Sequence, residues 1–268
     1  MLYLLSILLD RLLAPPPQAD KVAWLKGVTY AHRGLHGPGP DDVYRPENAL
    51  SAFAAAIEAG LGIECDVQRS SDGQAMVFHD WELDRLTAET GLVIERSATK
   101  LGQIKIIGND EDTIPSLRQL LDLVAGRVPL LIEVKTRPST RIPAICLAVR
   151  RMLEGYRGPV AVMSFDPRVS RWFARHSSHV VRGLVMMEEG SRTLFARTRR
   201  HIMLWRAQPD FLAYDITDMP SRFAGAQQRR GFPVLTWTVN TPELLERALK
   251  HGDGPIAEGA GVPKAPRS

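Results

Sequence analysis

The sequence predicts an α/β protein with a (β/α)8 TIM barrel, preceded by an apolar N-terminal helix and carrying a small insertion after the second strand. Eight short β-branched segments alternate with helical stretches over 268 residues, which is the size and rhythm of this fold. No G-x-G-x-x-G follows the first segment, which counts against the competing doubly wound open sheet. Polar residues also follow the C-terminal ends of several segments, where the sites of such barrels are built.

The predicted strands are short apolar runs bounded by turn residues. They are VTYAH (28–32), GIECDV (62–67), LLIEV (130–134), VAVMSF (160–165), VVRGLVM (180–186), FLAYDI (211–216), VLTWTV (234–239) and a weaker GPIAEG (254–259). The stretches between them carry apolar residues at helical spacing, and several end in glycine. They cover residues 47–60, 116–126, 142–155, 167–176, 191–208, 221–231 and 241–252.

Two segments lie outside this alternation. The polar stretch from Val77 to Pro115 is long for a loop, so we expect it to have structure of its own or to cover a site. Residues 1–20 form an apolar run that is broken by Asp10 and Arg11 and ends in three prolines. We therefore divide the chain into an N-terminal helix and linker, residues 1–20, and a barrel, residues 21–268, with its insertion at about 80–115.

The N-terminal run is too short to span a bilayer and lacks the basic start and cleavage site of a signal peptide. Two interpretations stay open: a helix that packs against the body of the protein, or an interfacial helix with peripheral membrane contact through residues 1–13. We expect a cytoplasmic protein, associated with a membrane if the second interpretation holds. The sequence carries no signal for an oligomeric state.

The composition is that of a soluble globular protein, with 44% hydrophobic and 24% charged residues and a formal net charge of +4. The densest basic clusters are predicted to be solvated helix faces: Arg150–Arg151, Arg199–Arg200 and Arg229–Arg230. No basic stripe interleaved with aromatic residues is present, so we expect no nucleic-acid partner. The two cysteines, Cys65 and Cys146, are predicted to be buried apolar residues.

Carboxylates end two of the predicted strands. Glu64 and Asp66 lie two residues apart and therefore point to the same face, where their charges repel unless a cation or protons intervene. A hard divalent ion with oxygen ligands would relieve this repulsion, and so would pairing with arginines. Glu133 and Lys135 repeat the spacing on the next strand. Glu133 would complete a three-carboxylate cation site, or it would form a structural ion pair with Lys135.

Two of the seven histidines follow strands and have charged neighbours: His32 in AHRG and His79 in FHD. Their ordinary pKa suits proton transfer near neutral pH. Arg33 offers a planar fork that matches two phosphoryl oxygens. Glu47 and Asn48 follow Pro46 and also suit the start of a helix. Two histidines, two basic side chains and three carboxylates are the groups needed to open a phosphate diester.

In these motifs the chain resembles the glycerophosphodiester phosphodiesterase family, a TIM-barrel family. The family pattern H-R-G, E-N, E-x-D, H-D and E-x-K corresponds in order to His32–Gly34, Glu47–Asn48, Glu64–Asp66, His79–Asp80 and Glu133–Lys135. Ser164–Phe165 and Trp237–Asn240 also match the family. One departure occurs near the last strand, where the family commonly has D-G-I-x-T-D and this chain has GDGPIAEG, residues 252–259.

The resemblance implies the roles of individual residues. His32 and His79 would be the acid–base pair, and Glu64, Asp66 and Glu133 would bind one divalent metal ion, Ca²⁺ or Mg²⁺. Substrate contacts would come from Arg33 and Lys135 on the phosphate, from Glu47, and from Trp237 as a wall of the pocket.

The implied activity is hydrolysis of a small-molecule glycerophosphodiester to sn-glycerol 3-phosphate and an alcohol. Water or the substrate's own hydroxyl would be the nucleophile. Two alternatives remain: the same chemistry on lysophospholipids at a membrane, and a barrel that binds phosphate without catalysis.

Overall fold

The computed structural model describes residues 2–39, 43–188 and 193–263 and has the predicted fold, a (β/α)8 TIM barrel. Eight of its strands are the parallel strands of the barrel, β1, β4 and β6–β11. The strands are β1 (Tyr30–Ala31), β2 (Gly37–Pro38), β3 (Tyr44–Arg45), β4 (Gly62–Arg69), β5 (Ala75–Val77), β6 (Leu130–Val134), β7 (Val160–Ser164), β8 (Val181–Met186), β9 (Phe211–Asp215), β10 (Val234–Val239) and β11 (Gly254–Ala257). Each predicted strand is confirmed.

The predicted helices are present as well. They are α1 (Leu2–Leu13), α3 (Leu50–Glu58), α5 (Leu117–Val124), α6 (Ile142–Leu153), α7 (Pro167–His176), α8 (Leu194–Ala207), α9 (Arg222–Arg229) and α10 (Pro242–His251). Two short helices were not predicted, α2 (Ala19–Val22) and α4 (Ala98–Leu101). Side-chain caps set several of their starts: Ser116 and Gln119 form a capping box on α5, and Asp166 caps α7 ahead of its first proline. None of the described helices is long and apolar enough to cross a membrane.

The chain divides into two compact units, residues 30–160 and residues 1–29 with 161–268. In the first unit, β4 pairs in parallel with β1 and with β6, and β5 runs antiparallel beside it. The register places Asp66 opposite Glu133. Cys65 lies between the two carboxylates of β4 and, like Cys146, is a free and fully buried thiol, as predicted.

The stretch after β5 has structure of its own. A short 3-10 helix (Val93–Glu95), α4 and isolated antiparallel bridges shape it. A small hydrophobic core supports it, to which Phe78, Leu83 and Val93 contribute together with Leu101. The segment is therefore folded around a core of apolar side chains. These side chains follow neither the helix period nor the strand period in the sequence, so the short helices of the segment were not predicted. The division of the chain at residue 20 remains a prediction.

The second unit contains the five consecutive parallel strands β7 to β11. Close packing is visible at Gly183 on β8, where an added Cβ would lie 2.4 Å from the ring of Phe211. Only glycine leaves room for that ring.

The N-terminal helix α1 packs within this second unit, as the first of the two interpretations predicts. Asp10 is 1% exposed, and its carboxylate accepts hydrogen bonds from His201, Trp205 and Gln227. Arg230 donates to the backbone carbonyls of Asp10 and Ala14. The charged residue that interrupts the apolar run is therefore the anchor of the helix.

Two arginines differ from the prediction of solvated faces. Arg200 on α8 is 8% exposed and lies 3.4 Å from the carboxylate of Glu188. Arg230, which follows α9, is half-buried against the N-terminal segment. Both arginines are partly or fully buried because they bind polar groups elsewhere in the chain. Helical periodicity does not predict such partners.

Candidate active site

Three buried carboxylates lie together on β4 and β6. Glu64 and Asp66 are each 2% exposed and Glu133 is 9% exposed. One oxygen from each carboxylate lies within 4.8 Å of the others. The alternation of side chains along β4 brings Glu64 and Asp66 to one face, and the β4–β6 register adds Glu133.

The three carboxylates are close enough to repel one another, and this repulsion affects their pKa values. Burial and the neighbouring carboxylates Asp66 and Glu133 raise the pKa of Glu64 well above its usual range. Burial also raises the pKa of Glu133, to about 7. For Asp66 burial acts in the same direction, but Lys135, Arg33 and His79 outweigh it and lower the pKa. An all-oxygen set in which the pKa values of two carboxyl groups are raised in this way fits a hard divalent cation.

Basic side chains border the carboxylates. Lys135 Nζ lies 3.1 Å from Glu133 Oε1 and 3.4 Å from Asp66 Oδ1. Arg33 Nε lies 3.2 Å from Asp66 Oδ2, and its backbone N–H donates to Glu64 at 3.1 Å. The ion pairs considered from sequence are thus present, and they occur beside the three-carboxylate cluster rather than instead of it.

The turn after β1 delivers His32 and Arg33. Arg33 has a left-handed φ of 55° and Gly34 a φ of 82°. A Cβ on Gly34 would lie 2.9 Å from Ala52 of α3, so the glycine of the H-R-G motif permits the turn and its close approach to the helix. His32 Nε2 lies 4.0 Å from Glu64 Oε2.

Glu47 and Asn48 do not begin a helix, contrary to the interpretation of Pro46 as a helix start. They form a turn before α3, whose first residue is Leu50. Asn48 has a φ of 58° and is fully buried. Its side chain donates to Asp66 Oδ2 at 3.0 Å and accepts the Asp66 backbone N–H at 3.1 Å. Asparagine adopts a left-handed φ more readily than most residues do. At this position its side-chain amide bonds the Asp66 carboxylate.

His79 is oriented by its neighbours. Its Nδ1 lies 2.6 Å from Asp80 Oδ1, so Nδ1 rather than Nε2 faces that carboxylate. Burial lowers the pKa of His79, Lys135 and Arg33 act in the same direction, and Asp66 and Asp80 oppose them. A lowered pKa favours the neutral form of the imidazole.

The sequence analysis did not identify two further residues of the site. Arg85 donates to both Asp80 and Glu47, while Glu47 also accepts from Arg33 at 2.8 Å. Gln68, two residues beyond Asp66 on β4, donates to the backbone carbonyls of Phe78, His79 and Asp80. The position of Gln68, two residues after Asp66 on the same strand, could have predicted that it faces the site. Arg85 lies in the irregular insertion, where no sequence pattern predicts its position.

These contacts change the acidity of the carboxylates outside the central cluster. Hydrogen bonds from Arg85 and His79 lower the pKa of Asp80 to about 2. Burial would raise the pKa of Glu47, but Arg85 and Arg33 lower it. Both groups are therefore anions at neutral pH and hold their cations in place.

Comparison with known proteins identifies the family. Residues 32–256 match the model of the glycerophosphoryl diester phosphodiesterase family, which is most of the chain. The chain belongs to this family. The matched segment contains each of the residues described above, from His32 to Lys135.

Two relatives show how much of the chain the similarity covers. The chain is 46% identical to the protein YqiK of Bacillus subtilis over 237 residues, covering 83% of this chain and 90% of that protein. It is 26% identical to a glycerophosphodiester phosphodiesterase of Caldanaerobacter subterraneus over 251 residues, covering 87% and 95% of the two chains.

Among solved structures, a phosphodiesterase from Oleispira antarctica, solved with the product sn-glycerol-3-phosphate, has a TM-score of 0.74 at 21% identity. The match covers 88% of this chain and 94% of that one, and it supports the fold.

The remaining predicted site residue, Trp237 on β10, belongs to the second unit. Its ring packs edge to face against Phe165 with centroids 5.3 Å apart, and its indole N–H donates to the Ala213 carbonyl at 3.0 Å. Its role as a wall of the substrate pocket remains a prediction. The altered motif near the last strand still forms β11.

Proposed function

We propose that this family member is a metal-dependent phosphodiesterase that hydrolyses glycerophosphodiesters to sn-glycerol 3-phosphate and an alcohol. The observation that carries the proposal is the cluster of three buried carboxylates with Arg33, Lys135, His32 and His79 at its border. The sn-glycerol 3-phosphate bound in the Oleispira antarctica phosphodiesterase supports the product assignment.

Glu64, Asp66 and Glu133 would hold the metal, which we propose to be Ca²⁺ or Mg²⁺. When bound, such an ion supplies positive charge that stabilises the phosphoryl oxygens. Lys135 already lies against Glu133 and Asp66, and Arg33 against Asp66, so both would meet a phosphate at the same place. Their hydrogen bonds strengthen as negative charge builds up on those oxygens.

His32 and His79 would exchange protons with the reacting oxygens. One imidazole takes the proton of the attacking hydroxyl as the new P–O bond forms, and the other donates a proton to the alcohol oxygen as the old P–O bond breaks. The Asp80 carboxylate at Nδ1 keeps His79 oriented for this transfer. If the attacking group is the substrate's own hydroxyl, a cyclic phosphate is the first product, and its detection distinguishes that route from attack by water.

The test is release of sn-glycerol 3-phosphate from glycerophosphocholine, with and without a chelator. We expect His32→Ala and His79→Ala each to lower kcat by about 10²-fold or more, the size of a lost acid–base catalyst. His176→Ala, on the exposed end of α7, is the matched control and should retain wild-type activity. Activity that survives chelation would overturn the metal assignment, and an active His32→Ala variant would overturn the acid–base assignment.

A membrane contact of α1 is a separate proposal. Leu8 and Leu12 are 64% and 76% exposed, while Asp10 on the opposite side is buried. Deleting residues 1–20 should abolish vesicle binding if this contact exists, and unchanged fractionation of the truncated chain would exclude it. The lysophospholipid alternative is tested by including such substrates in the assay. The cytoplasmic location remains a prediction.

A further inference from the structure

A cavity of about 360 Å³ adjoins His79 and Lys135 on the side of the insertion. Asp80 and Arg85 also line it, together with Trp81, Glu82, Asp84 and Arg137, and we refer to these last four residues as the alcohol pocket. A phosphate held at Lys135 would adjoin this cavity, because Lys135 is one of its lining residues. The cavity is within the size range of sites for small ligand groups.

Arg137 differs from the other cations near the site. Arg33, Lys135 and Arg85 each lie against two carboxylates. The Arg137 guanidinium instead lies over the ring of Trp81, 4.4 Å from its centroid, and forms no ion pair with any carboxylate in the part of the chain that the structure describes. Its charge is therefore available to an anionic ligand.

The stacking also limits what else can bind. A guanidinium carries its N–H groups in one plane, and two of them match the two oxygens of a carboxylate. Arg137 covers one face of the Trp81 ring. That face therefore cannot bind a quaternary ammonium group, the kind of ligand that aromatic rings often bind.

Negative charge lies in the same pocket. Glu82 and Asp84 line the cavity, and both are exposed to solvent. Asp84 accepts the backbone N–H of Gly91 at 3.2 Å, which orients its carboxylate without neutralising it. Beside the Asp80–Arg85 ion pair, the alcohol pocket thus offers one further cation and two further anions within the same cavity.

We infer that the alcohol pocket recognises an alcohol that carries both a carboxylate and an ammonium group, as serine does. The carboxylate would bind Arg137, and the ammonium group would lie toward Glu82 and Asp84. This inference rests on the proposed function, because it assigns the alcohol of the same diester. Its consequence is a preference for glycerophosphoserine.

The test compares glycerophosphoserine with glycerophosphoethanolamine, since these substrates differ only in the carboxylate. We expect kcat/KM for the serine substrate to be about tenfold higher or more, the effect of one charge-assisted hydrogen bond. In Arg137→Gln the ratio of the two kcat/KM values should fall to about one, and in Arg137→Lys it should take an intermediate value. Arg118→Gln removes an exposed arginine on α5 and should leave the ratio unchanged.

A wild-type ratio near one, or a ratio that Arg137→Gln does not change, would overturn the inference. Calorimetric binding of the two diesters separates this outcome from failure of the proposed function. A binding preference for glycerophosphoserine that depends on Arg137, without product release, would uphold the pocket and reject the hydrolase. Product release from both diesters at equal kcat/KM, with equal affinities, would uphold the hydrolase and reject the pocket.

Discussion

The Asn48 side chain holds Asp66 at two points, donating to its carboxylate at 3.0 Å and accepting its backbone N–H at 3.1 Å. The backbone N–H of Asn48 in turn donates to the Arg33 carbonyl at 2.9 Å. One left-handed asparagine thereby links the turn after β1 to the carboxylate cluster on β4. Such outer contacts commonly control how well a ligand set binds its metal.

Removing this amide should reduce activity and stability together. In Asn48→Gly the left-handed backbone is retained without strain, so the change in metal affinity reports the loss of the amide. We expect a 10- to 100-fold lower metal affinity, roughly the effect of losing such a contact, and about 1–3 kcal/mol lower free energy of unfolding. Asn48→Ala should lose about 1 kcal/mol more, because alanine disfavours this φ. Asn109→Ala, in a loop of the insertion, is the control; equal effects at both positions would contradict the assignment.

Metal binding should stabilise the protein through the three carboxylates. Adding Ca²⁺ or Mg²⁺ at 100 times its Kd should raise the free energy of unfolding by about 2.7 kcal/mol, measured by urea unfolding. Glu64→Gln should remove most of this gain. It should also stabilise the chelated protein, since it removes one of three mutually repelling buried charges. Glu58→Gln, on the exposed end of α3, should behave like the wild type. A metal-induced gain that Glu64→Gln leaves intact would place the metal elsewhere.

The Arg85 network predicts a specific dependence of stability on pH. The pKa of Asp80 is lowered from 3.8 to about 2 in the folded protein, and that of Glu47 is lowered as well. A lowered pKa contributes stability above the unfolded pKa, and this contribution is lost as the pH falls toward the folded pKa. Arg85→Gln should therefore be less stable than the wild type at pH about 5, and the difference should shrink toward pH about 2.

The size of the Arg85 effect should be about 1 kcal/mol, because the arginine side chain is 50% exposed and its ion pairs are screened. Urea unfolding at several pH values measures it, and added salt should reduce it. Arg96→Gln disrupts a more distant exposed pair with Glu89 and should show little pH dependence. A difference that grows as the pH falls would have the wrong sign and would reject this account.

Asp10 should be far more important for stability than its position near the chain start suggests. Asp10→Ala would leave buried donors of His201, Trp205 and Gln227 without their acceptor. We expect a loss of about 3–5 kcal/mol in the free energy of unfolding, the usual effect of breaking a buried charged network. Asp20→Ala, on the exposed side of α2, should cost less than about 0.5 kcal/mol. If the two variants have equal unfolding midpoints, the buried network does not anchor α1.

Local patterns in the sequence were sufficient to predict the fold, the shared face of Glu64 and Asp66, and the family. Eight β-branched segments and the helical periodicity between them predicted the barrel, because side-chain alternation and apolar spacing follow from backbone geometry. The same alternation predicted that Glu64 and Asp66 share a face. The five motifs from His32 to Lys135 were sufficient to identify the family.

The tertiary structure added the contacts that join residues distant in sequence. Asn48 was interpreted as part of a helix start and as part of the E-N motif, and neither interpretation named its bond to Asp66. Arg85 matched no pattern in the sequence, yet it joins Asp80 to Glu47. Asp10 interrupts an apolar run, and its three donors lie about two hundred positions along the chain. Hydrogen bonds and ion pairs of this kind depend on where the folded backbone places two groups. Periodicity, which records only the side of an element that each residue faces, contains no information about them.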